Sequence, residues 1–246
     1  MVTQITVTGM VLAAMPVGDY DKRLVILTKE RGKISAFAKG ARKPNSALLA
    51  CSQPFVFGEF NLYAGRNSYN VMNSNISNYF PEIKEDLEAV SYACYFAELV
   101  EQVTHENNDE VEVLKLLYQT MRALTKTSIN NKLIRYIFEL KIMSINGYTP
   151  QVFECVSCGE TENVHLFSFS RGGLVCSNCK KDAGELMGLE GSTIYTMQFI
   201  IATPVEKLYT FTVNETVLRE LKKVMERYMK MMIDRKFKSL EILELL

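Results

Sequence analysis

Histidine is nearly missing from this chain of 246 residues: His105 and His165 are the two it has. His105 sits at an expected helix end among Glu101, Glu106 and Asp109, where a surface position is expected, and His165 is expected on a hairpin surface. There is no Gly-x-Gly-x-x-Gly fingerprint, no Gly-x-x-x-x-Gly-Lys-[Ser/Thr] phosphate loop and no Gly-x-Ser-x-Gly elbow. With no catalytic constellation in view, the chain is not expected to be an enzyme. Net charge is lacking too. Lys and Arg number 28 and Asp and Glu 28, so no global basic field advertises a polyanionic partner. Long apolar runs are also absent. No Lys or Arg precedes Lys22, and the opening residues interleave Thr3, Thr6, Thr8 and Gly9 with apolar ones, which predicts a strand rather than a secretory leader. The uncharged run 191–205 is interrupted by Ser192, Thr193, Thr196, Gln198 and Pro204, so neither stretch supplies the roughly 20 apolar residues of a membrane span.

What is present is ordinary globular material, 48% hydrophobic and 23% charged. That excludes a disordered, collagen-like or coiled-coil chain, and no internal repeat or low-complexity stretch is visible. The balanced total conceals an asymmetry. Residues 1–80 carry nine basic and four acidic side chains, and residues 81–150 carry seven and eleven. Positive charge gathered in the first third points to a polyanion or an acidic partner at one end of the molecule.

Residues 1–80 read as β structure. Ile5-Thr6-Val7-Thr8 alternates with period two, and residues 24–27, 34–38, 55–63 and 69–76 are short β-prone runs. Gly18-Asp19, Gly32, Gly40 and Gly65-Arg66-Asn67 punctuate them. Five short strands in such a length suggest a small barrel of the OB type. Residues 82–146 change to a helical period. Tyr92, Phe96, Leu99 and Val103 make one apolar stripe, Leu114, Leu117, Met121 and Leu124 a second, and Leu133, Ile137 and Leu140 a third. Three helices packed together are expected, broken at Asn107-Asn108-Asp109 and Ser128 and ended by Gly147 and Pro150. Val217, Leu221, Val224, Tyr228 and Met231 form a later stripe, with Asn214 as its cap. The expected organisation is α+β and multidomain: an OB-type barrel over 1–80, a helical domain from 81–150 plus 181–246, and an insertion at 151–180.

Six cysteines do not make a disulfide-dense chain. Cys51 and Cys94 stand alone in apolar surroundings and are expected to be small buried hydrophobes. The other four form Cys155-x-x-Cys158, seventeen intervening residues, then Cys176-x-x-Cys179. This spacing is that of a four-thiolate zinc site. A Cys-x-x-Cys turn sets two sulfurs on one side, and two facing turns complete a tetrahedron. Gly159 and Gly172-Gly173 supply tight turns around it. Val164, Leu166, Phe167 and Phe169 can form a hairpin but hardly a core, so folding there leans on the metal. Four sulfurs saturate zinc and leave no place for a hydrolytic water, so one structural Zn2+ per chain is expected. Redox dithiols or unliganded thiols are the alternatives, and the pattern as a whole fits a reducing, cytoplasmic compartment.

Arg31, Lys33, Lys39, Arg42 and Lys43 place five positive charges and no acid within thirteen residues, and Lys22, Arg23, Lys29 and Arg66 lie in the same third. Such groups neutralise phosphates and bind nucleic acid with salt-dependent, sequence-tolerant affinity. Phe37 lies inside the run and Phe55, Phe57, Phe60 and Tyr63 follow it. Aromatics exposed beside a basic groove can stack on unpaired bases. The opposing reading is a solvated hairpin whose aromatics fill a barrel core.

The ordered set of these features resembles the RecO family of bacterial DNA-repair proteins, the recombination mediators. The stretches that carry the resemblance are the strand over 5–12 and Asp19-Tyr20-Asp21-Lys22-Arg23-Leu24. Gly32-Lys33 then leads to Lys39-Gly40-Ala41-Arg42-Lys43-Pro44 and Gln53-Pro54-Phe55. Phe138-Glu139-Leu140 leads through Gly147-Tyr148-Thr149-Pro150 into Cys155-x-x-Cys158-Gly159. Together they cover essentially the whole chain. The resemblance implies an N-terminal OB-fold and a helical domain carrying a zinc finger. It implies binding of single- and double-stranded DNA, annealing of complementary strands, and partnership with RecR and with the acidic C-terminal tail of single-stranded DNA-binding protein (SSB). RecA loading follows indirectly, on the nucleoid, with no membrane and no small-molecule substrate. It assigns Arg31, Lys33, Lys39, Arg42 and Lys43 to the DNA-binding region. The rivals are a non-catalytic, zinc-stabilised adapter that binds only proteins, and a metal-dependent nucleic-acid enzyme, which would need an open metal site.

Overall fold

The computed structural model describes residues 3–65, 68–126, 128–233 and 235–243. Their contacts group the chain into two compact units, Met1–Thr127 with Phe237–Leu246, and Ser128–Lys236. The expected helical segment is thus distributed over both.

The first unit is built on five strands, β1 (Thr3–Val17), β2 (Asp21–Thr28), β3 (Gly32–Ala38), β4 (Phe57–Ala64) and β5 (Tyr69–Asn78). They close into a barrel in the order β1-β2-β3-β5-β4, with β1 pairing back onto β4. The parallel contact of β3 with β5, through Ala36 and Tyr69 and through Phe37 and Asn70, completes the OB-type arrangement expected from the sequence. β1 is long because it serves two neighbours. Its first half pairs with β4 and its second half with β2, and a bulge between Val11 and Ala13 lets it bend between them. Gly9 lies where both partners crowd the strand. A Cβ there would stand 2.3 Å from the Leu27 carbonyl oxygen, so the position has room for no side chain. Val7, Val11, Leu24, Ile26, Ile34, Ala36, Phe60 and Leu62 alternate inward and fill the barrel.

Helices α1 (Pro81–Glu85), α2 (Leu87–Val103), α3 (Val111–Leu124) and α7 (Lys238–Leu243) share this unit. Asp86 caps α2, accepting from the amides of Glu88 and Ala89 at 2.8 and 3.2 Å. Tyr92, Phe96 and Leu99 are buried as their spacing predicts. Tyr118 of α3 packs its ring 4.5 Å from Phe57 of β4. The tip of the β2–β3 hairpin is bound to the loop after α2. The Lys33 amide donates to the His105 carbonyl at 3.0 Å, and the Lys33 ammonium donates to the carbonyl of Glu101. Gly32 has φ +62°, and a Cβ on it would lie 2.3 Å from the His105 carbonyl oxygen, so glycine alone fits that contact.

The second unit holds α4 (Asn131–Ile145), a three-stranded ribbon of β6 (Val164–Ser168), β7 (Gly173–Cys176) and β8 (Leu186–Gly188), then α5 (Gly191–Ala202) and α6 (Glu215–Met232). The ribbon order is β7-β6-β8. α4 packs on α5 and α6, so the three helices expected as one group are divided between the units. The Asn214 cap is present, accepting from the Val217 amide at 2.9 Å. Met231 falls outside the buried stripe of α6 and is exposed, while Met225 and Met229 take inward places. Cys51 is buried as expected, but Cys94 is exposed on α2. Helical position overrode its apolar neighbourhood, because the neighbouring Ala93 and Tyr95 take the buried faces. None of the described helices is long and apolar enough to cross a membrane.

Candidate nucleic-acid interface and metal centre

The basic residues of the barrel fall into two groups. Arg31 and Lys33 belong to the tip of the β2–β3 hairpin, where Arg31 is exposed and Lys33 is half-buried against α2. Lys39, Arg42 and Lys43 lie at the other end of β3, at about 3.3 Å per strand residue some 20 Å away. All three are exposed. The structure therefore does not bring the five together. Arg66 lies outside the described residues.

The second group is locally organised. The chain leaves β3 and turns at Gly40, whose φ is +67°. The Gly40 amide donates to Asp21 Oδ1 at 2.7 Å. Ala41 then drops into the barrel core with no exposed surface, which leaves Lys39, Arg42 and Lys43 outside it. The Arg42 amide donates to the Tyr20 carbonyl at 2.8 Å, and its Nη1 donates to the Gly18 carbonyl at 3.2 Å. Lys43 Nζ sits 5.3 Å from the centroid of the Tyr20 ring. Two loops, 18–21 and 39–43, are thereby knit into one surface. No ion pair among the described residues engages Lys39, Arg42 or Lys43. Asp19 and Asp21 share the turn, and Asp21 is occupied by the Gly40 amide. Lys22 is directed inward instead, donating to the Ser52 carbonyl at 2.8 Å.

The aromatics named from sequence are mostly structural. Phe60 is in the barrel core, Phe55 is buried with φ +70°, and Phe57 packs on Tyr118; Phe37 and Tyr63 are half-buried. The exposed ring in this region is Tyr20, at 53% exposure. Sequence reasoning missed it as a functional candidate. The available signal was an aromatic set in a Gly-Asp turn immediately before Asp21-Lys22-Arg23.

In the second unit, Cys155, Cys158, Cys176 and Cys179 come together with all four Sγ atoms within 4.8 Å of one another. Cys158 Sγ and Cys176 Sγ are 3.8 Å apart. Four sulfurs about 2.3 Å from a central ion at tetrahedral angles are themselves separated by about 3.8 Å, so the cluster has the size of a tetrahedral metal site. Backbone geometry supports thiolate character. The Cys176 amide donates to Cys155 Sγ at 3.3 Å. Burial pushes the Cys155 thiol up, but hydrogen bonds from the backbone at Cys176, Ser157 and Cys158 and from the Cys158 side chain outweigh it and hold the group at about 6. Cys179 is pushed up to about 12 by its contacts with Cys158 and Cys176, then by burial and by charge on Cys155. A thiol that ionises readily, Cys155, beside two that are pushed up, Cys158 and Cys179, belongs to a donor set suited to a cation. Cys155, Cys176, Val175 and Ala183 are the buried residues of the ribbon's own cluster, too few for an independent core. Phe167 and Phe169 face α6 instead. Phe167 lies 6.2 Å from the Tyr228 ring, Arg227 covers Phe169 at 4.3 Å, and Arg227 also forms a bidentate pair with Glu185. His165 is exposed on β6.

Comparison with known proteins agrees with this layout. The family model described as "Recombination protein O N terminal" matches residues 1–80, and "Recombination protein O C terminal" matches residues 84–241. The chain belongs to the RecO family. Among its relatives, the DNA repair protein RecO of Alkaliphilus metalliredigens is 38% identical over 236 residues, covering 95% of this chain and 96% of the relative. That of Acetivibrio thermocellus is 35% identical over 241 residues, covering 97% and 96%. That of a Thermoanaerobacter species is 31% identical over 223 residues, covering 91% and 90%. In this RecO-family chain, then, a five-stranded OB-like barrel with a cationic loop is joined to helices that carry a four-cysteine cluster fit for a metal ion.

Proposed function

We propose that this chain is a non-catalytic recombination mediator that binds single- and double-stranded DNA through the barrel and anneals complementary strands. The observation that carries the reading is the surface of Lys39, Arg42 and Lys43, exposed, free of carboxylate ion pairs among the described residues, and anchored to the β1–β2 turn. The relatives' name, DNA repair protein RecO, supports the same reading. Lysine and arginine at such a surface meet phosphate rather than base edges, so binding tolerates any sequence. Neutralised phosphates repel a second strand less, and annealing then needs no hydrolysis of a nucleotide. Arg31 and Lys33 contribute only when a strand runs the length of the hairpin, because about 20 Å separates them from the other group.

In this reading the cysteine cluster holds one Zn2+ per chain. Cys155, Cys158, Cys176 and Cys179 fill all four positions, so the ion braces residues 151–180 as an insertion within the second unit and activates no water. The helices present surfaces for RecR and for the acidic SSB tail, through which the protein assists RecA at the nucleoid of a bacterial cytoplasm. The test is annealing of two complementary oligonucleotides, bare and coated with SSB. The protein is expected to accelerate both reactions, and Lys39→Ala/Arg42→Ala/Lys43→Ala is expected to abolish the acceleration on bare strands. Undiminished annealing by that variant refutes the assignment, and no annealing by the natural chain refutes the function.

A further inference from the structure

Beside the cationic loop stands one aromatic ring that is not part of the barrel core. Tyr20 stands in the β1–β2 turn with 53% of its surface exposed. The turn is held around it: the Tyr20 carbonyl accepts the Arg42 amide at 2.8 Å, the Gly18 carbonyl accepts Arg42 Nη1 at 3.2 Å, and the Asp21 side chain accepts the Gly40 amide at 2.7 Å. The ring is thus presented on a fixed backbone. Lys43 Nζ lies 5.3 Å from its centroid, and Lys39 and Arg42 are exposed in the same loop. An exposed flat ring with one cation at its face and two more in the adjoining loop is complementary to a flat ring linked to anions, and of the two carboxylates beside it in sequence, Asp21 is engaged by the Gly40 amide. An unpaired nucleotide has that chemistry: a base with an open π-face beside a phosphate. A paired base inside a duplex does not, since its neighbours already cover both faces.

We propose that Tyr20 is a stacking platform for an unpaired base and gives this surface its preference for single strands over duplex. The inference rests on the proposed DNA-binding reading and adds to it the residue that sets strand preference. Lys39, Arg42 and Lys43 contact phosphates in either form of nucleic acid. Tyr20 adds a contact that only the single strand can make, and that contact carries no charge.

The experiment uses the full chain with a labelled oligothymidine and a duplex of the same length, about twenty nucleotides, which exceeds the usual footprint of one OB barrel. Tyr20→Ala is expected to weaken single-strand binding about tenfold and duplex binding less than about twofold, in keeping with the loss of one stacked base. Its salt slope stays that of the natural protein, because no cation is removed. Tyr20→Phe retains the single-strand preference. The chain has no tryptophan, so Tyr20→Trp introduces a lone indole whose emission is expected to be quenched by the oligothymidine and left unchanged by the duplex. The exposed ring is not needed for folding, since the hydrogen bonds at this position use the backbone, and an unchanged Tm for Tyr20→Ala checks that. An unaltered single-strand to duplex ratio in Tyr20→Ala, or an indole indifferent to saturating oligothymidine, overturns the inference. If Lys39→Ala/Arg42→Ala/Lys43→Ala still loses affinity in that case, stacking alone is refuted. If that variant also binds as the natural protein does, the DNA site itself is refuted.

Discussion

Removing the charges of Lys39, Arg42 and Lys43 has a consequence that can be worked out before any measurement. Each cation that neutralises a phosphate of a single strand adds about 0.7 to the slope of log affinity against log salt. The three side chains are exposed, and none is in an ion pair with a carboxylate among the described residues. All three are therefore available to phosphate, and their joint replacement by alanine is expected to flatten the slope by about 2. If the natural and variant proteins converge near 1 M salt, their affinities differ roughly a hundredfold at 0.1 M. Between 50 and 200 mM salt the gap narrows roughly twentyfold. Asp19, in the neighbouring turn, makes these figures upper values. Fluorescence anisotropy of a labelled oligonucleotide across a salt series measures both quantities.

Arg31→Ala serves as the comparison. It removes one exposed charge about 20 Å from the loop, about two Debye lengths at 0.1 M. On an oligonucleotide too short to reach both ends of the hairpin, its slope is expected to match the natural protein's. A triple variant with an unaltered slope refutes the reasoning, and so does an Arg31 variant that flattens the slope more than the triple one.

Phe60→Ala opens the centre of the barrel, where the ring is fully buried, and is expected to cost about 3–5 kcal/mol of stability in urea denaturation. A cost below about 1 kcal/mol would mean that the barrel core is not packed as described. Cys176→Ser is expected to lose the Zn2+ proposed for the four cysteines, and with it amide-exchange protection across β6 to β8, while β1 to β5 keep theirs; a variant that still carries one tightly held metal contradicts the four-sulfur site. Glu185→Gln tests the clasp between ribbon and α6. Hydrogen bonds from Arg227 hold the Glu185 carboxyl below its ordinary value. Its contribution is therefore present above the unfolded pKa, about 4.3, and is lost as pH falls through the lower folded value. The variant is expected to melt slightly below the natural protein at pH 7 and together with it at strongly acid pH. The exposed setting keeps the difference small, and a gap that widens on acidification contradicts the pairing.

Much of this molecule is written locally in its chain. Period-two alternation placed the strands, period-3.6 stripes placed α2, α3, α4 and α6, and Asn214 marked the start of the last of these. The four cysteines were legible from spacing because a Cys-x-x-Cys turn is a local device that needs only a second one opposite it. Such features depend on residues close in sequence, where backbone geometry does the placing. Other features depend on which surfaces meet, and spacing along the chain carries no such information. Cys94 sits among apolar residues yet faces outward, because its neighbours take the buried sides of α2. Phe55 and Phe60 looked like stacking candidates, and barrel closure turned them inward. The run from Arg31 to Lys43 is continuous in sequence, but one strand of β structure carries its two ends some 20 Å apart. Tyr20 lies outside that run and is brought to it by the hydrogen bonds between two loops. Sequence alone determined the elements, the barrel and the four-cysteine cluster. Which charges share a face, and which ring stands among them, was decided by the closure of the barrel, because only long-range pairing sets one loop beside another.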